Sequence, residues 1–453
     1  MSRLDTLRTL GIDLYSARSG RTHTVHDASV TGDTEETLVV SGRLLAFDRT
    51  DRMGTLHDAT GLLALCFSPH ALEPESEALL AVLEAGDLIE CTGRMQSDRL
   101  AVQRVRLLAP SLQPSPDPAL ITPSALALRT DVLRFTRQFF DERGFLAVDT
   151  PTLMRVPELT PAIRSFRTEY RDDVGQTFPL YLQTSPEHYM KRLLAAGYER
   201  VYQICRFFRN GERLDTHSPE FTGLEWYEAY ADYHDIMRTT EELIASLAIR
   251  LFGEPSIRHR GQTIDVSPPW PRQTVRDVLF ETARIDLHKC TTLKCFRLSA
   301  QSRGVSVGPA DTWDDIFHRL FIQYVEPLLP TDRPIFLTEY PARLPSLAKR
   351  KPGEDRVVER FELYIGGLEL ANAFTELNDP AEQRARFEAQ LRVKREQQEY
   401  DGRLDEDLLS ALESGMPPSG GIALGLDRLI MLFADAASID EVIPFGGVFS
   451  CVP

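Results

Sequence analysis

The chain has 453 residues, 42% apolar and 26% charged, an ordinary globular balance that excludes a disordered or fibrous protein. Its 67 acids against 51 bases give a net charge of −16, which excludes a protein that coats polyanions over its whole surface but is compatible with a local basic cleft. No apolar run reaches the ~18 residues of a membrane span and MSRLDTLRTLGIDLYS lacks a hydrophobic signal core, so the expectation is no membrane contact and a cytoplasmic location.

At roughly 150 residues per domain the length suggests two or three domains. Residues 1–34 form an N-terminal segment, and 35–112 read as a small all-β domain. There LVVSGRLLAF, GTLHDATGLLALCFS, LIECTGRM and RLAVQRVRLL are short β-rich runs with a helical stretch, ALEPESEALLAVLEAG, between the second and third. That order suits a five-stranded Greek-key barrel of the OB type, which often takes single-stranded nucleic acid. Seven Arg, no Lys and ten acids over 38–112 suit a structural or docking barrel equally well. SLQPSPDP is a linker by composition, and the boundary region is placed at 113–122.

The remaining chain, 123–453, opens with a helix starting at Thr122–Pro123, whose Leu128, Val132, Phe135, Thr136 and Phe139 share a face before Gly144. FLAVDTPTLM follows as a strand with Pro151 as an edge breaker. In LQTSPEHYMKRLLAAG, Pro186 and Glu187 open a helix with Tyr189, Met190, Leu193 and Leu194 as its apolar residues. Runs 201–209 and 219–230 read as an antiparallel hairpin with a polar loop of about nine residues. Residues 234–335 mix helices and short strands without an interpretable motif. Strand character returns at 361–377 around a Gly366–Gly367 turn, and a Gly-rich strand runs into a helix at 419–434. The six cysteines show no paired CxxC spacing, which leaves them as buried or incidental thiols.

Four places carry chemistry. In the hairpin, the guanidinium of Arg209 can grip a phosphate and the ring of Phe221 can stack a base; the same residues also fit an ordinary hairpin with a surface arginine and a core phenylalanine. In FELYIGGLELANAFTELND, Glu369 and Glu376 lie in an apolar strand, where a carboxylate needs a cation or donors: magnesium with phosphates, or a substrate ammonium. Their odd separation sends them to opposite faces of a regular strand, so sharing one site demands a bulge or bend. Salt-bridged edge carboxylates are the alternative. In SGGIALGLDRLIMLFADA, Gly420, Gly421 and Gly425 permit close backbone approach, and Arg428 sits in the first turn of an apolar helix, where it needs an anion. Glu187 at the start of its helix fits a first-turn dipole partner or a cavity residue.

In this order the segments resemble the catalytic domain of class II aminoacyl-tRNA synthetases of the lysyl subgroup. The helix–strand unit ending at Pro151 resembles the family's motif 1, FRNGE with HSPEFTGLEWY its motif 2, and GGIALGLDRLIML its motif 3. TSPEHYMKRLLAAG, TWDDIFHRLFIQYVEPLL, GLELANAFTELNDPAEQ and the segment ending in GGIALGLDRL are more similar to the paralogue that attaches a β-lysine-type amino acid to elongation factor P. Ala423, where tRNA-charging members usually have glycine, and Ser185, in place of their alanine, point the same way.

The resemblance implies an α+β fold: a six- or seven-stranded antiparallel sheet flanked by helices, commonly dimeric, preceded by an OB-type barrel. It implies ATP and Mg²⁺ as cofactors. ATP contacts fall on Arg209, Asn210, Glu212, Ser218, Phe221, Glu369, Leu370, Gly425 and Arg428, with Arg209 and Arg428 catalytic. Amino-acid contacts fall on Ser185, Pro186, Glu187, Tyr227, Asn372, Glu376 and Ala423, and metal contacts on Glu369 and Glu376. Three departures stand out: Gly211 where motif 2 has glutamate, Ser218 where it has asparagine, and Thr216 where it has arginine. The first expectation for function is activation of lysine or β-lysine as an adenylate and transfer to a lysine of elongation factor P. The second is charging of a lysine tRNA, and the third an inactive binding module.

Overall fold

The computed structural model describes residues 2–112 and 122–446. The expected linker lies outside them except for Thr122, as does Cys451. The chain divides into two compact units, Met1–Pro123 and Ser124–Pro453.

The first unit is built on a closed five-stranded barrel of β1 (Leu38–Asp48), β2 (Met53–Asp58), β3 (Gly61–Cys66), β4 (Leu88–Gln96) and β5 (Arg99–Ala109), in the order β1-β2-β3-β5-β4. Alternation puts Val40, Leu44, Leu56, Leu65, Ile89, Leu100 and Val102 inside, all fully buried. Gly93 sits where the β4–β5 register shifts, and a Cβ there would collide with the Ala101 carbonyl, so the tight curvature requires glycine. The expected helix is α1 (Pro74–Leu80), with proline in its first turn and Leu79 and Leu80 packed into the barrel core.

The second unit is α+β. Its helix α2 (Pro123–Asp141) leads to β6 (Leu146–Ala147). The expected single strand FLAVDTPTLM is instead split: β6 joins the main sheet, whereas Leu153–Met154 pairs with Thr177–Leu182 in a separate three-stranded sheet. Pro151 has no N–H to continue a ladder between them. Helix α3 (Glu187–Ala195) precedes the hairpin of β7 (Arg200–Phe208) and β8 (Glu220–Ala229), and α4 (Tyr233–Phe252) follows it. The uninterpreted middle region contributes β9 (Arg272–Thr274) and β10 (Ile335–Thr338). Strands β11 (Arg360–Ile365), β12 (Leu368–Thr375) and β13 (Ser419–Gly425) complete the sheet, and β13 runs into α5 (Leu426–Phe433).

The eight strands lie in the order β9-β10-β11-β12-β13-β8-β7-β6, antiparallel at the centre with a short parallel strand at each edge. Along β8, Leu224 and Trp226 face the core formed with Ile236 and Leu243 of α4 and Leu429 and Ile430 of α5. Period two then sends Phe221, Gly223, Glu225 and Tyr227 to the other face, where the cavity opens. β12 carries one extra residue at Leu370, because Leu363 pairs with Ala371 while Tyr364 pairs with Glu369. This bulge is the irregularity that the odd spacing of the strand's acids demands, and it turns Glu369 to the same face as Asn372 and Phe374. No described helix is long and apolar enough to cross a membrane.

Candidate active site

A cavity of about 460 Å³ opens on this face of the sheet. Strand register lines up Glu225, Ala423, Asn372 and Glu362 across four neighbouring strands, and places Gly421 between Tyr227 and Phe374. A Cβ at Gly421 would strike the Glu376 carboxylate and the Tyr227 ring, so glycine here makes the room in which those two side chains sit.

One end of the cavity is acidic. Glu187 enters from the first turn of α3, Glu225 from β8, and Glu376 from just beyond β12. The Lys191 ammonium lies 2.6 Å from both Glu187 and Glu376 and is itself buried. Tyr227 donates its hydroxyl to Glu225 at 2.9 Å, Ser185 donates to the other oxygen of Glu225, and the Glu187 amide donates to Ser185 Oγ at 3.0 Å. Three carboxylates thus face one resident cation. Burial, with Glu187 adding to it, pushes Glu225 up to about 8; burial pushes Glu376 up to about 8 even though Lys191 opposes it. Both Glu376 oxygens lack a geometrically sound hydrogen bond, which leaves the Lys191 ion pair as their compensation.

The helix that delivers Glu187 buries a different face from the one the sequence suggests. His188, Met190, Lys191 and Leu194 are inside, while Tyr189 and Leu193 are half-buried. The two polar residues are tolerated there because each is paired. His188 Nδ1 is 2.9 Å from Asp405, Nε2 is 3.8 Å from Glu158, and the ring packs on Phe387. Burial works against the charged imidazole, but Asp405 and Glu158 outweigh it and raise the pKa to about 9.

The other end is cationic and aromatic. Phe207 and Phe221 stack with centroids 5.2 Å apart, and the Arg209 guanidinium lies over Phe221 at 5.4 Å. Gly223 admits the Phe207 ring, which a Cβ would hit. Arg428 donates to the Thr216 carbonyl at 3.0 Å, the Glu369 carbonyl at 2.7 Å and His217 Nε2 at 2.6 Å. Burial, then Arg428 and Arg209, hold His217 down near 4, so it is a neutral acceptor at Nε2 and shares its other nitrogen with Thr216 Oγ1 at 3.0 Å. At the hairpin tip Gly211 has φ +87°, a conformation that favours glycine, and the next residue, Glu212, lines the cavity 3.9 Å from Arg209. Ser218 is buried and lines the cavity as well.

Most of the residues named from sequence therefore meet in one cavity: Ser185, Glu187, Arg209, Glu212, Ser218, Phe221, Tyr227, Glu369, Leu370, Asn372, Ala423, Gly425 and Arg428 line it, and Glu376 adjoins it through Lys191 and Tyr227. Asn210 and Pro186 are not in the lining. Asn210 turns its backbone N–H to the Arg164 carbonyl, and Pro186 caps α3. The expected metal pair is also corrected. Glu376 faces Lys191, and the acid that acts on Glu369 is Glu362. Loss of bulk solvent inside the cavity and then the Glu362 carboxylate push Glu369 up against the pull of Arg428, Arg209 and Arg360, and the side chain itself is exposed. Glu362 accepts from Tyr340 at 2.6 Å, Tyr364 at 2.9 Å and Arg360 at 2.7 Å. Two carboxylates on neighbouring strands lining the same cavity beside Arg209, Arg360 and Arg428 fit a hard divalent cation, so Glu362 and Glu369 are the residues that could hold magnesium. Glu225, Glu362 and Lys191 were missed, although Glu225 and Glu362 are each a charge among apolar residues.

A nucleotide-sized cavity with an acidic end and an arginine–phenylalanine end, on an antiparallel sheet, defines an adenylate-forming ligase of the class II synthetase kind. The chain belongs to that family: its residues 122–448 match the model of tRNA synthetases class II (D, K and N). It is similar to the lysine–tRNA ligase of Pelotomaculum thermopropionicum, 36% identical over 98% of this chain and 92% of the relative. It is likewise similar to those of Roseiflexus castenholzii, 36% identical, and Carboxydothermus hydrogenoformans, 35% identical, over 98% of this chain and 96% of each relative.

Proposed function

We propose that the protein activates lysine with ATP and transfers it to a lysine tRNA. The observation that carries this reading is the charge layout of the cavity. Three carboxylates, two of them buried, against one lysine at one end suit the ammonium groups of a diamino acid, and Arg209 over a stacked phenylalanine at the other suits a nucleotide. Glu187 would hold the amino group beside the carboxylate, Tyr227 with Glu225 and Glu376 the side-chain ammonium, and Phe221 the adenine. The amino acid's carboxylate attacks the α-phosphorus in line and pyrophosphate leaves, with Arg209 and Arg428 stabilising the charge on the phosphoryl oxygens. Magnesium at Glu362 and Glu369 would supply charge neutralisation at the phosphates. A terminal ribose hydroxyl of the tRNA then attacks the adenylate carbonyl and AMP leaves, which needs no enzyme nucleophile.

This reverses the order expected from the sequence, where transfer to elongation factor P came first. The relatives named as lysine–tRNA ligases match along 98% of this chain, barrel included, which supports tRNA as acceptor and an anticodon-reading role for the barrel. Ala423, opposite both Glu225 and Asn372, and Ser185, bonded to Glu225, are the observations that keep a β-amino acid and a protein acceptor as the second reading. The inactive module is disfavoured by the acids and arginines gathered around the cavity. A homodimer through α2 belongs to the proposal; Leu146 and Leu153 beyond it are about half exposed, and light scattering tests it. The deciding experiment is lysine-dependent ATP–pyrophosphate exchange followed by transfer to tRNA or to elongation factor P. Exchange with tRNA charging is expected; labelling of the factor without charging overturns the acceptor, and no exchange overturns the whole reading.

A further inference from the structure

Arg129 belongs to α2, yet its guanidinium ends among residues of the strand and helix that frame the nucleotide end of the cavity. It is 5% exposed. Nη1 donates to Asp427 Oδ1 at 2.5 Å and to the Val442 carbonyl at 3.1 Å, and Nη2 donates to Thr222 Oγ1 at 2.7 Å. Asp427, fully buried, accepts the Thr222 backbone N–H on its other oxygen at 2.7 Å.

The ring Arg129–Asp427–Thr222 falls where a sheet ladder stops. β8 pairs with β13 only from Gly223 opposite Gly425 onward, since β13 there turns into α5. The Thr222 N–H is taken by Asp427, a side chain of the first turn of α5, so the β8–α5 contact continues by side chain where the backbone pairing has ended. Two members of the ring adjoin cavity residues in sequence, Thr222 following Phe221 and Asp427 preceding Arg428, and Asp427 itself lines the cavity. Val442 adds the chain after Ile439, which also lines the cavity and whose N–H donates to the Asp215 carbonyl of the hairpin loop. Burial raises the pKa of Asp427 and Arg129 opposes it. Without the guanidinium, Asp427 is a buried carboxylate with no bonded cation and only the weaker pull of Arg206, which favours a proton on it or its movement.

We propose that Arg129 is a positioning residue for ATP: through Thr222 and Asp427 it fixes the spacing between the Phe221 ring and the Arg428 guanidinium without touching the nucleotide. This rests on the reading that Phe221 and Arg428 hold ATP. The ring's hydrogen bonds run to Val442 and among its own members and not to Glu187, Tyr227 or Glu376, so the amino-acid end is held by other contacts.

The test uses the full chain with Arg129→Met, which removes the cation, and Arg129→Lys, which keeps the charge and loses the planar fork. ATP and lysine binding are measured separately by calorimetry, and KM for each by pyrophosphate exchange. The expected result is ATP binding weakened by roughly tenfold or more in Arg129→Met, in the range that outer-shell partners of bound groups typically show, and less in Arg129→Lys, with lysine affinity within about twofold of the parent. Unchanged ATP affinity in a folded variant, or an equal loss for both substrates, overturns the proposal. Failure of both variants to fold overturns it too, since the ring is then a requirement of the fold. Failure of the parent to bind ATP instead removes the reading on which it rests.

Discussion

The acidic end of the cavity makes binding of a diamino acid a proton-releasing event. In the free protein Glu225 and Glu376 are pushed up to about 8, so near neutral pH both hold protons that ordinary carboxyls have lost, Glu376 against the pull of Lys191. A ligand that brings two ammonium groups favours the carboxylates and expels those protons. The structure therefore predicts between one and two protons released per lysine bound at pH 7, read by titration calorimetry in buffers of differing ionisation enthalpy. Affinity should strengthen as pH rises from about 6 to 8, and release should vanish above about pH 9. The free protein follows the opposite sign: both acids have folded pKa values above the unfolded one, so their contribution to stability is full below about 4.5 and is lost as pH rises through about 8. Glu376→Gln should release at most one proton and weaken lysine binding roughly 10- to 100-fold, the loss of one charge-assisted contact. No proton release by the parent at pH 7, or the same count in Glu376→Gln, refutes the reasoning.

Further outcomes follow from single contacts. His188→Gln removes the buried imidazolium between Asp405 and Glu158 and should lower stability by about 3 kcal/mol; because the folded pKa of His188 is raised to about 9, the difference from the parent is full below about 6.5 and fades as pH rises through 9, as thermal melts at pH 6 and pH 10 would register. Gly421→Ala drives a methyl into Glu376 and Tyr227, and exchange kinetics should show the KM for lysine rising about tenfold or more with the KM for ATP unmoved. Glu362→Gln should raise the magnesium concentration for half-maximal exchange about tenfold whereas Glu376→Gln leaves it unchanged; equal effects would restore the metal pair suggested by the sequence.

What could be read in the sequence and what could not divide on one physical point. A charge within an apolar run announces that a partner exists, and this was enough to single out Glu369, Glu376 and Arg428, while the glycines at 420, 421 and 425 and the hairpin around Arg209 marked the frame. The same rule would have singled out Glu225 in GLEWY and Glu362 in FELYI had it been applied to every such residue, whereas Lys191, beside Arg192 in MKR, carries no such signal. It does not name the partner. Glu369 and Glu376 were paired because they share a strand, but the cation on Glu376 comes from α3, one turn beyond Glu187, and the acid acting on Glu369 comes from the neighbouring strand β11. The Leu370 bulge was demanded by the spacing, yet its position depends on pairing with β11. Once partners are assigned, the two ends of the cavity differ in resident charge: three carboxylates and one lysine at one end, and Arg209, Arg360 and Arg428 around Glu362 and Glu369 at the other. The first end is short of cations and the second can meet phosphate oxygens with guanidinium groups, so the field along the cavity orients an ammonium-bearing acid toward one end and a nucleotide toward the other. A net charge of −16 averages over that polarity and conceals it, which is why the composition excluded a polyanion coat without revealing a phosphate site.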